Sequence, residues 1–292
     1  MHGADAHPPI GAAAPARLAE LHVGRPSCRP VDDEALFLPD GDAYVGTELI
    51  QGGWHPDQAN GGAVLALLGH VLDDVPSLVP MTVSRFTADL VRPVVVGRPV
   101  RACWELLRQG KKIQVVLLRL LDGDTELVRA TVLRLRHDDL RDTAVPPSTT
   151  DDRPADTLVP PAELSPAPTD GPGFLRGIDL RRSPHRDGSG HGAWLRLVAP
   201  VVAGEPVRAG SRLAVGFDFA NLVGVDVRPT ELTMINPDVS AHVLRVPEGD
   251  WVAVTGDSRF EPGIGRGVSS ALLSDHRGVF ASVSISQILQ RR

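Results

Sequence analysis

The stretch HPDQANGGAVLALLGHVL, residues 55–72, joins a polar, glycine-containing loop to an almost unbroken apolar run. Val64, Leu67, Leu68 and Val71 recur at i, i+3, i+4 and i+7, the stripe of one helix face. Ala63, Leu65, Ala66 and Gly69 make much of the opposite face apolar as well. A helix over 61–74 that is apolar nearly all round must be wrapped by protein rather than laid on a surface. Asn60 is placed to cap its first turn and Pro76 to stop it. The polar loop itself has two readings. It is an ordinary capped start whose glycines let a sheet pack closely on the helix, or it is the mouth of a site where a substrate group meets the helix end.

Outward from this helix, segments rich in Val, Leu, Thr and Phe at 82–92, 98–108, 112–121 and 126–136 read as a meander of strands, broken by RPVVVGRP, RQGKK and DGD. Asp122-Gly123 is a hairpin turn signal, since glycine takes positive φ at no steric cost. The second half repeats the order: a short strand pair at 174–182 and 193–199, a helix near 207–224, then strands near 231–245, 250–260, 266–274 and 279–290. Arg92 and Arg245, and Asp122 and Asp275, are both 153 positions apart, which argues for a duplicated helix-plus-sheet unit. Between the halves, 138–172 is rich in proline and acids and reads as a linker over the surface. The expected organisation is a flexible tail (1–30), an N-terminal domain (31–137), the linker (138–172) and a C-terminal domain (173–292).

The chain has 292 residues, 42% hydrophobic and 23% charged, with a net charge of -6, a composition that fits a globular protein with two cores. Scattered Lys and Arg without a basic surplus argue against nucleic acid as a partner. No apolar stretch approaches membrane-spanning length and residues 1–30 have no signal-peptide pattern, so no membrane association and a cytoplasmic location are expected. The two cysteines, Cys28 and Cys103, have no metal-ligand spacing; neither a zinc site nor a cofactor is expected.

Several chemistries are disfavoured. RDGSGH (186–191) does not have the spacing of a nucleophile elbow, GIGRG (263–267) lies between strands rather than before a helix, and no H-E-x-x-H helix occurs. The stretches WHPDQANGGAVLALLGHVL, RFTADLVRPVVVGRPVRACWELLRQGKKIQVVLLRLLDGDTELVRATVLRL, AVGFDFANLVG, TMINPDVSAHVLRVPEGDWVAV and GVFASVSISQILQRR resemble the acyl-CoA thioesterase II-like family, in its N-terminal and then its C-terminal half. The resemblance implies an α+β double hot-dog: two long helices, each wrapped by an antiparallel sheet, the sheets joined edge to edge. It further implies hydrolysis of acyl-CoA by a water held between an Asp at the start of the C-terminal helix, a Thr on the next strand and a Gln on the last.

Carried onto this chain, the resemblance places the Asp at Asp218, the Thr position at Asn236 and the Gln position at Ser286, with Gln287 one residue on and facing the other way in a regular strand. Asp218 in the apolar LAVGFDFANLVG is costly unless paired or hydrated; its plain alternative is a capping acid. Asn236 can orient a water because an amide both donates and accepts, but NPD is equally an ordinary turn or bulge. Ser286 reaches less far than Gln and is commonly just a small strand residue. Trp54, His55, Asn60, Gly61 and Gly62 are candidates for the substrate channel, with the glycines expected to let a thioester or pantetheine arm approach the backbone. Lys111 and Lys112 could meet a CoA phosphate, but at a hairpin tip they read as solvated charges.

Three functions follow as expectations. The first is a thioesterase acting on an acyl-CoA or acyl-carrier-protein thioester through Asp218. The second is a dehydratase-type enzyme with His55 and Asp218 as base and acid, against which the H-x-x-x-G-x-x-x-x-P signature is missing around His55. The third is an acyl-binding protein whose water site has lapsed, motivated by Asn236 and Ser286. A homo-oligomer is possible through outer sheet faces.

Overall fold

The computed structural model describes residues 35–144, 154–168, 170–188, 191–222 and 232–291. The tail, Cys28 and part of the linker lie outside these residues. Val31–Arg292 forms one compact unit.

The N-terminal half starts with strands β1 (Phe37–Asp40) and β2 (Ala43–Gly46), which the sequence reading does not anticipate. They are four residues each and turn at Gly41, whose φ of 61° suits glycine. Helix α1 (Gly61–Leu72) follows, with all twelve residues buried, as its all-round apolar pattern demands. Asn60 Oδ1 accepts from Gly62 N at 2.8 Å and caps it. Strands β3 (Met81–Leu90), β4 (Pro99–Arg108), β5 (Ile113–Asp122) and β6 (Thr125–Arg136) then form the meander, and Gly123 makes the β5–β6 turn with φ 58°.

The C-terminal half holds a one-turn helix α2 (Phe174–Gly177), β7 (Ile178–Pro184), β8 (His191–Leu197), helix α3 (Ala209–Val215), β9 (Leu232–Ile235), β10 (Asp238–Val243), β11 (Val252–Glu261), β12 (Arg266–Asp275) and β13 (Gly278–Arg291). The offset of 153 holds at the strand starts: β4 and β11 begin at Pro99 and Val252, β5 and β12 at Ile113 and Arg266, β6 and β13 at Thr125 and Gly278. All strands join one antiparallel sheet in the order β1-β2-β4-β5-β6-β3-β10-β13-β12-β11-β8-β7, with β9 added to β13. The order reads outward alike from the β3–β10 seam, which is what a duplicated unit produces.

The two central helical segments run antiparallel inside this sheet. Gly69 and Gly210 mark their closest approach: a Cβ on Gly69 would lie 2.2 Å from the Gly210 carbonyl oxygen. Ser211 Oγ donates to Ala66 O at 3.0 Å across the same contact.

The expectation of two long helices holds only for the first. In the second half α3 has seven residues and gives way to a 3₁₀ segment, Gly216–Leu222. The reason is local: GFDFAN sets two aromatics around an Asp, all weaker helix formers than the Ala and Leu of α1. Each aromatic is claimed by a different neighbour. Phe217 packs on Phe86 with ring centroids 5.5 Å apart, and Phe219 on Phe174 at 6.2 Å.

The linker also departs from a plain surface run. Residues 154–168 dock on the second half, where Ala155 and Leu158 are buried with Trp194 and Ala253. Trp194 Nε1 donates to Val159 O at 3.0 Å and Arg181 Nη1 to Leu164 O at 3.0 Å. Two small anchors in a proline-stiffened segment decide this, and average composition hides them.

The duplicated landmarks do not make duplicated contacts. Arg92 donates to Glu126 O at 2.9 Å and Asp122 pairs with Arg98 at 3.1 Å. Arg245 instead grips the buried Asp275 with two 2.6 Å hydrogen bonds, and the N–H groups of Glu248 and Arg277 add bonds of 2.7 and 2.8 Å. Burial pushes the Asp275 carboxyl up, but Arg245 and the two N–H groups outweigh it and hold it below its ordinary 3.8. Such a group contributes stability that is full above the unfolded value and is lost as pH falls through the lower native one. Asp275→Asn is therefore expected to cost about 3 kcal/mol at neutral pH and to flatten the acid limb below about 3.8. Urea unfolding at pH 7 and at pH 3 reads both effects; equal slopes of stability against pH in the two proteins would remove Asp275 from the acid response.

Candidate active site

The N-terminus of α1 and the 3₁₀ segment after α3 meet because the helices are antiparallel. A Cβ on Gly61 would fall 2.7 Å from Asp218 Oδ1. The space left by this glycine is thus filled by the Asp218 carboxylate rather than by a substrate arm. Gly62 is likewise enclosed by protein, with a Cβ at 3.1 Å from both Phe174 and Phe219. Its role is packing, so Gly62→Val is expected to weaken the fold together with activity.

Asp218 is 5% exposed, and a carboxylate so buried needs donors. Gly62 N–H donates to Oδ2 at 3.1 Å and Asn236 Nδ2 to Oδ1 at 2.8 Å. The positive end of α1 faces the same carboxylate. Asn221 Nδ2 donates in turn to Asn236 Oδ1 at 3.2 Å. In a 3₁₀ turn residues i and i+3 eclipse, so Asp218 and Asn221 stand one above the other and both reach Asn236. Asn221 is the residue that sequence reasoning misses; its signal is the three-residue spacing in DFAN, which matters only once the turn is known to be 3₁₀.

Asn236 reaches this position through a break in a strand. Pro237 has no N–H for the ladder and separates β9 from β10. Asp238 Oδ1 takes up the Ser286 N–H of β13 at 2.7 Å. The Ser286 side chain is exposed, on the strand face opposite to that of Gln287. Gln287 is 2% exposed on the inner face. Carrying the Ile288–Ile235 register one step further sets Gln287 across from Asn236. Gln287 Oε1 accepts from Ser269 Oγ at 3.3 Å, while its buried Nε2 has no hydrogen-bond partner among the described residues.

Asp218, Asn236 and Gly61 line a pocket of about 360 Å³ at the β3–β10 seam. Val64, Leu90, Val94, Val128 and Ile235 make its walls aliphatic; Trp54, Gln58 and Arg92 also border it. Of the loop candidates, Trp54 and Gly61 are therefore at the pocket and Asn60 is the cap beside it. His55 is exposed and does not line it; its Nδ1 accepts from Asp57 N at 3.2 Å within its own turn. Lys111 and Lys112 are exposed at the β4–β5 turn. Among the described residues no group of His, Cys, Asp and Glu could hold a metal, and no helix is long and apolar enough to cross a membrane.

A helix pair held within one continuous antiparallel sheet, with a pocket where a helix start meets the β3–β10 seam, is the architecture of a hot-dog protein. Residues 50–135 match the family model of the acyl-CoA thioesterase N-terminal domain. Among solved structures, the chain is similar to a thioesterase II candidate from Thermobifida fusca YX (TM-score 0.66, 18% identity, 89% of this chain and 97% of that one). It is also similar to an acyl-CoA thioesterase II from Mycobacterium marinum (TM-score 0.61, 17% identity, 87% and 94% covered). A conserved hot dog fold protein of unknown function from Alicyclobacillus acidocaldarius is a third (TM-score 0.63, 13% identity, 89% and 97% covered). No curated protein matches the chain.

Proposed function

We propose that this protein hydrolyses an acyl-CoA or acyl-carrier-protein thioester with a water activated by Asp218. The observation that carries the reading is a buried carboxylate, 5% exposed, set in the wall of an aliphatic pocket at a helix N-terminus. The family model matched by residues 50–135 supplies the substrate class. Asn236 and Gly62 N–H fix the two carboxylate oxygens, so the base is oriented before substrate binds. Water attacks the thioester carbonyl as Asp218 takes its proton, and the carbonyl pair moves onto oxygen. The Gly61 N–H, at the start of α1 in the pocket wall, is the donor assigned to that oxyanion. Collapse breaks the C–S bond, and Asp218 returns its proton to the leaving thiolate.

We assign to Gln287, whose buried Nε2 has no hydrogen-bond partner among the described residues, the water-orienting role that the resemblance places at Ser286. Gln287→Ala is expected to lower kcat by roughly tenfold to a hundredfold, the worth of one hydrogen bond to a charged or reacting group. Ser286→Ala, altering an exposed side chain, is expected to leave kcat within twofold of the parent. Steady-state hydrolysis on a panel of acyl-CoAs tests the reading. Tight acyl-CoA binding without release of acid on any panel member would replace it by an acyl-binding role. The dehydratase reading loses its base, because His55 lies outside the pocket that Asp218 lines.

A further inference from the structure

The two halves fill the same corner of the sheet in different ways. In the first half Val83 on β3, Arg134 on β6 and Gln114 on β5 lie side by side across three strands. Arg134 Nη1 donates to Val75 O at 2.9 Å and Gln114 Nε2 to Pro76 O at 2.7 Å, which ties down the chain leaving α1. At the offset of 153 the second half has Asn236, Gln287 and Gly267 in these places. Gly267 is paired with Gln287 as Gln114 is with Arg134. The neighbouring apolar pair of Leu106 and Val116 is replaced by Ser258 and Ser269. A row of polar side chains therefore crosses β11, β12 and β13 toward Asn236, the residue that holds Asp218.

Resting on the thioesterase reading and on the role assigned there to Gln287, we infer that Ser269 and Gly267 are positioning residues that set the Gln287 amide for the attacking water. Ser269 is fully buried and its Oγ donates to Gln287 Oε1 at 3.3 Å. A hydroxyl carries one proton, so the 2.6 Å contact between Ser258 and Ser269 is donated by Ser258. With the oxygen end of the amide engaged in this way, Nε2 is the end left without a partner among the described residues. Gly267 supplies the space, because a Cβ there would lie 2.6 Å from Oε1. A buried amide with one end pinned and a donor unbonded is costly to the fold. Arg134 and Gln114, at the matching places, direct donors to backbone carbonyls instead. The second half keeps a donor for a group that is not part of the chain, one strand away from Asn236.

The test is a pair of double-mutant cycles on kcat, using an acyl-CoA that the parent hydrolyses, with KM and melting temperature recorded for every variant. Ser269→Ala deletes one hydroxyl, and kcat is expected to fall about threefold to tenfold, the worth of one neutral hydrogen bond. Gly267→Ala pushes on the flexible tip of Gln287 and on the Phe260 ring, and kcat is expected to fall about tenfold through the misplaced amide. KM should stay within about twofold, because the aliphatic pocket wall is untouched. In the Gln287→Ala background each substitution should change kcat by less than about twofold, since the group to be positioned is gone.

A kcat loss of the same size in the Gln287→Ala background makes Ser269 and Gly267 structural residues and overturns the inference. Unchanged kcat in either single variant removes that residue from the positioning role. If Gln287→Ala alone leaves kcat intact, the inference falls with the role of Gln287, while hydrolysis through Asp218 stands. Absence of hydrolysis by the parent on every acyl-CoA offered overturns the thioesterase reading itself.

Discussion

Asp218→Asn is expected to lower thioester hydrolysis by roughly 10²–10⁴-fold, the usual contribution of a positioned general base. The amide has the shape of the carboxylate, so the space opened by Gly61 stays filled. It cannot accept a proton from water at neutral pH. The fold should survive because the polar chain around it is adaptable: Asn236 can turn its amide to offer Oδ1 to the new NH₂, and Asn221 can follow. The melting temperature is therefore expected to move by only a few degrees, consistent with one altered hydrogen bond worth about 1 kcal/mol. A kcat loss with unchanged affinity for a non-hydrolysable analogue places Asp218 in the chemical step. Undiminished turnover in the folded variant would take it out of the mechanism.

Gly69→Ala is expected to destabilise the fold strongly. The added Cβ would sit 2.2 Å from the Gly210 carbonyl oxygen, 2.5 Å from its carbon and 3.0 Å from Ser211 N. All three are backbone atoms, so no rotamer change relieves the contact and α1 must move away from α3. Overpacking at a well-filled contact costs about 3 kcal/mol or more when the backbone has to yield, which for a unit of this size is a fall of roughly 6–12 °C in melting temperature. The same helix pair carries Gly61 and Asp218 two turns further along. Activity at temperatures where Gly69→Ala is still folded should therefore fall as well. A variant with parental thermal stability would show that the helices are not held at contact distance there.

Much of this architecture is legible in the chain. The apolar run 61–72 could only be a wrapped helix, and α1 is buried along its whole length. Alternating strands bounded by Gly and Pro place β3 to β6 within two residues of where they are expected, and the offset of 153 carries the same meander into the second half. Short β1 and β2 escape because four residues give no period to read. The 3₁₀ character of Gly216–Leu222 escapes because the weak helix formers of GFDFAN only permit it, while the ring contacts of Phe217 with Phe86 and of Phe219 with Phe174 come from distant segments.

The site divides in the same way. Local pattern singles out Asp218 as a carboxylate in an apolar run, and family resemblance gives it a role; neither says what meets it. The meeting with Gly61, Gly62 and Asn236 depends on two antiparallel helices and on a strand broken at Pro237, contacts that span up to 156 positions of sequence. The choice between Ser286 and Gln287 is likewise tertiary. Side chains alternate along a strand, so an error of one residue turns a site inside out. Only the burial of the paired strand shows that Gln287 faces inward, at 2% exposed, while Ser286 meets solvent. Periodicity and propensity, which are local, determined the elements of this protein; which of its polar residues share a pocket was decided by packing between residues far apart in the chain.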